Sequence, residues 1–170
     1  QPLSGMPFGT GQLSADGSAV QQDGRSASLT APNGSSQQML LRLAFDDAGI
    51  LPALLEVNEA HGTGTALGDP IEVGALVRVV CDKKADSDRP LALGAGKANH
   101  GHMESNAGAA GWLKLMRGLV SARLMPNARL QLLNQHVISA MRDPSFTLPV
   151  QISAFGRRQR VCGGLSSFGY

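Results

Sequence analysis

An α/β domain, with helices layered on a small sheet, is the fold class this sequence predicts. Three observations carry it. Apolar strand-like runs alternate with helical patterns in the order strand–helix–strand–helix–strand–strand. Two of those runs, "LLEVNEA" and "LALGA", end directly in polar, glycine-bearing loops. Glycine is plentiful, at 21 of 170 residues, while aromatics make up only 4%, which suits tight turns and closely approaching helices.

The elements follow in order. Residues 1–34 are rich in Gly, Ser, Pro and Asp and read as loop, with at most a short strand at Ser18–Val20. "SSQQMLLRLAFDDAG" opens on serine, carries Met39, Leu40, Leu43 and Ala44 at helical spacing, and stops at Gly49. A buried strand is predicted over Leu54–Asn58. Asp69 and Pro70 then start a second helix, proline being tolerated in a first turn, and Ile71, Val73, Ala75, Leu76, Val79 and Val80 carry it to Cys81. "DKKADSDR" is a solvated connection. The strand "LALGA" leads into the polar stretch "GKANHGHMES". In the next helix, "NAGAAGWLKLMRGLVSAR", small residues let the first half approach another backbone. "LMPNARLQLLNQHVISAMRDPSFTLP" has no regular period and reads as extended or turn segments. Finally "VQISAF" and "VCGGLSSFGY" are expected to pair as antiparallel strands across the basic turn "GRRQR".

Composition narrows the function. Hydrophobic residues make up 42% and charged residues 16%, the balance of globular material. A net charge of +2 gives no ground for a nucleic-acid or anionic-membrane surface. No apolar run has the length of a membrane span, and no leader pattern opens the chain. Cys81 and Cys162 lie far apart in apolar settings and read as small buried hydrophobes of a reducing, cytoplasmic compartment. The chain does not begin with Met and ends on a strand-like segment, so it is expected to be part of a longer polypeptide.

Chemistry is expected at the two loops. His61 follows the first strand; Lys97, His100 and His102 follow the second. Ligands of α/β sheets bind at the carboxyl ends of strands, so adjacent strands would bring these loops to one crevice. A neutral imidazole there can donate to a developing oxyanion. Gly62, Gly64 and Gly101 admit a substrate close to the backbone, Thr63 and Thr65 can hydrogen-bond an extended amide-bearing arm, and Lys97 can tune a neighbouring histidine. Simpler readings stand beside these. A histidine in a loop is more often structural than catalytic, and Asp69, Glu72 and Glu104 can serve only their helix dipoles. His100, His102 and Glu104 alternate as metal ligands on a strand would, but Gly101 and the helix start that follows speak against that geometry, and no metal is expected.

Three stretches, "VNEAHGTGTALGDPIEVGAL", "GAGKANHGHMESNAGAAGWLKL" and "GGLSSFGY", together with the upstream "GSAVQQDGRSASLTAPNGSSQQ", closely resemble the C-terminal half of the ketosynthase domains of modular type I polyketide synthases. These are β-ketoacyl synthases of the thiolase-like fold. The resemblance covers residues 17–170 and leaves 1–16 as an unmatched N-terminal segment. It implies decarboxylative Claisen condensation of an acyl thioester with a malonyl-type extender carried on the phosphopantetheine of an acyl carrier protein, with no cofactor of its own. It further implies that His61 and His102 are the catalytic histidines and that Lys97 supports them. Thr63 and Thr65 would contact the phosphopantetheine arm, and Phe168 and Tyr170 would line the substrate pocket. Other polyketide synthase domains are implied as partners, as is a homodimer of the complete domain.

The family's nucleophilic cysteine lies in an N-terminal half, and neither "VVCDKK" nor "RVCGGL" resembles its motif, so this chain alone is expected not to condense. His100 stands where the family usually has an apolar residue. Three alternatives stay open: a condensation-incompetent docking or scaffold domain, a fatty-acid condensing enzyme and, more distantly, a metal-dependent hydrolase.

Overall fold

The computed structural model describes residues 12–24, 31–80, 90–141, 146–154 and 160–169. Cys81, Tyr170 and most of the "GRRQR" turn lie outside them.

Helix α1 spans Gly34–Ala48. Its cap is Asn33 rather than the serine expected. The Asn33 side-chain oxygen accepts the N–H groups of Ser35 and Ser36 at 3.1 and 3.2 Å, satisfying amides that a helix start leaves without partners. Gly49 ends the helix in the left-handed conformation, at φ 62°. A single 3-10 turn, Pro52–Leu54, leads into strand β1, Leu55–Glu59. Next come α2 (Gly68–Val80), β2 (Leu91–Gly94), the one-turn α3 (Lys97–His100), α4 (Ala107–Ser121), β3 (Arg123–Leu124), α5 (Gln135–Met141), β4 (Phe146–Thr147), β5 (Ser153–Ala154) and β6 (Cys162–Leu165).

Four strands form one parallel sheet in the order β4-β2-β1-β6. A register shift between Leu55 and Val57 turns these neighbours to opposite faces. Leu55, with Leu91 and Leu93, packs on Val73, Leu76 and Val80 of α2 and on Val137 of α5. Val57, opposite Ala92, packs on Leu115 of α4. Period-two alternation then puts Glu59 on the α4 face, although it is buried. Alpha-4 sits close because β6 offers glycine: a side chain at Gly163 would lie 3.0 Å from Leu115 Cδ1 and 3.2 Å from Leu119 Cδ1.

Three expectations need correction. Residues 18–20 form no strand. The last two strands do not pair with each other: β5 runs antiparallel to β3, while β6 runs parallel to β1. The segment read as irregular holds a two-turn helix, α5, which gains its stability by burying Val137 against α2.

Candidate active site

The carboxyl ends of β1, β2 and β6 lie side by side, and each runs into a loop that contributes to one site. From β1 the chain passes through Ala60 to His61, which is buried. Glu72, in the first turns of α2, holds this bend: its two carboxylate oxygens accept the N–H of His61 at 2.7 Å and that of Gly62 at 2.9 Å. Gly62 turns at φ +48°, with space for no side chain, since a Cβ there would meet Ala95 Cβ at 2.8 Å. The loop returns to α2 through Asp69, which accepts the Gly64 N–H at 3.1 Å, and Thr65, whose hydroxyl accepts the Gly68 N–H at 3.0 Å.

From β2 comes Lys97, at the start of α3. Its ammonium reaches the His61 carbonyl oxygen and lies 3.2 Å from His61 Nδ1. From β6 comes Phe168, whose backbone N–H donates to the same Nδ1 at 3.2 Å and whose ring stands edge-on to the imidazole with centroids 5.5 Å apart. A backbone N–H can only donate, so Nδ1 is an acceptor and Nε2 carries the proton of the neutral ring. Burial, then the positive charge of Lys97, then His102, pull the His61 pKa from 6.5 down to about 4.

His102 stands 5.8 Å from His61, ring centre to ring centre, with the planes nearly perpendicular at 86°. Its Nδ1 accepts the Glu104 N–H at 2.9 Å. The same logic assigns the neutral ring's proton to Nε2. Two imidazoles, brought by separate loops, thus share one tautomer at one place. His100 turns aside and bonds the Gly101 carbonyl through Nδ1 at 2.9 Å. Among the described residues no three His, Cys, Asp or Glu side chains are arranged to hold a metal ion.

The structure thus brings His61, His102, Lys97 and Phe168 together. Thr63 is half-buried and Thr65 exposed on the wall beside them. Tyr170 is outside the described residues. The electrostatics around Lys97 mix signs: burial lowers its pKa, while Glu72, Glu59 and Asp69 raise it. Burial pushes the Glu72 carboxyl up to about 7 and also raises Asp69.

Three residues that hold the site together are not among the sequence-predicted candidates. Besides Glu72 they are Glu59 and Asn127. Asn127 is buried, accepts the Ala95 N–H at 2.7 Å and donates to the Leu93 carbonyl at 3.0 Å, fixing the exit of β2. A signal existed for Glu72, which shares a helical stripe with Ala75, Leu76 and Val79, all buried.

The sequence model of the "Beta-ketoacyl synthase, C-terminal domain" family matches residues 14–131. This chain belongs to that family. Its relatives include the mycoketide-CoA synthase of Mycobacterium tuberculosis, 42% identical over 154 residues, which is 90% of this chain and 4% of that protein. Another is the pikromycin polyketide synthase component PikAIII of Streptomyces venezuelae, 52% identical over 103 residues, covering 61% of this chain and 6% of that one. Among solved structures, the oxazolomycin ketosynthase domain OzmH KS7 of Streptomyces albus superposes with a TM-score of 0.81 at 31% identity, over 91% of this chain and 28% of its own. A ketosynthase of the bacillaene synthase of Bacillus amyloliquefaciens gives 0.77 at 30% identity, over 86% and 26%. The fold is therefore that of the thiolase-like ketosynthases, of the modular polyketide synthase type. This ketosynthase chain spans under a tenth of the length of such synthases.

Proposed function

We propose that this chain supplies the enolate-stabilising face of a ketosynthase that joins an acyl thioester to a malonyl-type extender. The extender arrives as a thioester on the phosphopantetheine of an acyl carrier protein. Its carboxylate leaves as carbon dioxide: the C–C bond breaks, its electron pair becomes the enolate C=C, and the carbonyl pair moves onto the thioester oxygen. The Nε2–H groups of His61 and His102 both donate to that oxygen. They are useful there because they are neutral donors held in place before the charge develops. The enolate carbon then attacks the acyl thioester, and the thiolate is released.

The observation that carries this reading is the pair of Nδ1 atoms, each accepting a backbone N–H with the rings 5.8 Å apart. Burial keeps His61 uncharged, and Lys97 adds to it by placing an ammonium at Nδ1. Thr63 and Thr65 line the approach of the phosphopantetheine arm, Phe168 lines the acyl side, and the role expected of Tyr170 on that side rests on the sequence resemblance alone. Neither cysteine of this chain is the acyl carrier in this reading. Cys162 is half-buried in β6, and burial raises its thiol pKa, the reverse of what a thiolate nucleophile needs. The acylated thiol comes from the remainder of the domain, of which residues 17–170 form the C-terminal part. Other synthase domains and a second copy of the complete domain are the proposed partners.

The test is carbon dioxide release from a malonyl-pantetheine thioester by the full-length protein. His61→Ala and His102→Ala should each slow it by roughly 100- to 1000-fold, the usual effect of losing one oxyanion donor. Release at the wild-type rate in both variants would end this reading.

A further inference from the structure

We infer that Glu59, paired with Lys114, is a positioning residue that sets the Lys97 loop against His61; the inference rests on the reading above. Glu59 ends β1, two residues before His61, and its side chain is buried, as is most of Lys114. One carboxylate oxygen accepts the Gly96 N–H in the turn that delivers Lys97, and the other accepts the Lys114 ammonium from α4. Its backbone carbonyl accepts the Ser166 N–H at 2.9 Å, in the segment that delivers Phe168. A single residue is thus bonded to α4, to the β2–α3 turn that delivers Lys97 to His61 and to the β6 exit that delivers Phe168 to it.

The surrounding sequence is fitted to this carboxylate. A Cβ at Gly94 would lie 2.7 Å from one of its oxygens, and a Cβ at Gly96 would lie 2.9 Å from the other. At Gly111 of α4 a Cβ would meet Leu165 at 2.8 Å and the Glu59 side chain at 3.5 Å. Stability alone does not account for the pair, since buried ion pairs are commonly replaced by apolar groups at no loss. What an apolar pair cannot do is accept the Gly96 N–H. The carboxylate also bears on Lys97 through space, raising its pKa.

The test uses the full-length protein and the same decarboxylation assay, with four variants compared at fixed pH. Glu59→Met/Lys114→Met removes both charges together, so leaves neither buried alone, and takes away the acceptor of the Gly96 N–H. Gly96→Ala keeps both charges, and its residue has ordinary helical φ and ψ, but the added methyl would lie 2.9 Å from a Glu59 carboxylate oxygen and from His100 Nε2 and 3.2 Å from Lys114 Cδ, crowding the turn against the pair. His61→Ala and His102→Ala report on the underlying reading. If Glu59 positions the Lys97 loop, the double variant and Gly96→Ala lose roughly ten- to hundredfold in kcat, the scale of a small misplacement, with KM for the thioester within about twofold. Wild-type kcat in a folded double variant, while the histidine variants are slow, overturns the positioning role and leaves the proposed function standing. Should the double variant fail to fold, Gly96→Ala decides on the same criterion. Wild-type rates in the histidine variants overturn both.

Discussion

Replacing Glu72 by Gln should make the protein less active, and more stable relative to wild type at high pH than at low pH. Burial raises the Glu72 carboxyl from 4.5 to about 7 in the folded state. A raised acid contributes stability that is fully present below pH 4.5 and is lost as pH climbs through 7, where the folded state must ionise a buried group. At 1.36 kcal/mol per pH unit, the loss is about 3 kcal/mol. An amide never ionises, so the variant avoids this cost. A domain of this size moves about 2–4 °C per kcal/mol. The domain's calorimetric midpoint in the variant, relative to wild type, should therefore rise by roughly 6–12 °C between pH 5 and pH 8. The same amide has one oxygen where the carboxylate has two, so either the His61 or the Gly62 N–H loses its acceptor. Carbon dioxide release should fall by at least roughly tenfold as the His61 bend relaxes. A midpoint difference that ignores pH would show that Glu72 does not carry the proton assigned to it. A stabilised variant with full activity would show that the clamp does not position His61.

Lys97→Met removes the second of the causes that hold His61 down, while burial, the largest, stays, so the acid limb of the decarboxylation rate should move up from near pH 4 but stop short of 6.5, as a rate profile between pH 3.5 and 8 would reveal. Asn127→Ala leaves the half-buried Ala95 N–H without its acceptor; about 1–3 kcal/mol of stability should be lost by denaturant titration. Gly62→Ala puts a methyl 2.8 Å from Ala95 at a left-handed φ, so it should cost roughly 1–3 kcal/mol and displace His61, read as a lower melting point together with slower release.

Much of the fold was legible because its signals are local. The apolar runs of β1 and β2, the glycine stop of α1 and the proline start of α2 each announce themselves within a few residues. Beta-6 was misread because its pairing is decided far away. Two apolar segments around a basic turn look like a hairpin, yet Gly163 and Gly164 make a flat strand that fits beneath α4 and beside β1. Alpha-5 has only seven residues, too few to display a period. The histidines were legible as loop residues at strand ends, but what holds them was not. Glu59 meets Gly96 across 37 positions and Lys114 across 55, while Asn127 meets Ala95 across 32. No local pattern carries such pairings; Glu72 alone had a local signal, its place on the buried stripe of α2.

Two of the glycines around the site acquire a common reason from one of these carboxylates. A Cβ at Gly94 or Gly96 would run into the Glu59 carboxylate, while Gly62 is closed by Ala95 and Gly111 by Leu165. Where they stand, Glu59 and Glu72 come near enough to grip backbone amides of both histidine-bearing loops. Each carboxylate also faces an ammonium, Lys114 in contact with one and Lys97 acting through space on the other. Opposite charges thereby offset each other around the rim, and the imidazole at position 61 stays uncharged between them. A site meant to donate hydrogen bonds to a growing negative charge needs that neutrality, because a ring already protonated at Nδ1 could not accept the Phe168 amide that orients it.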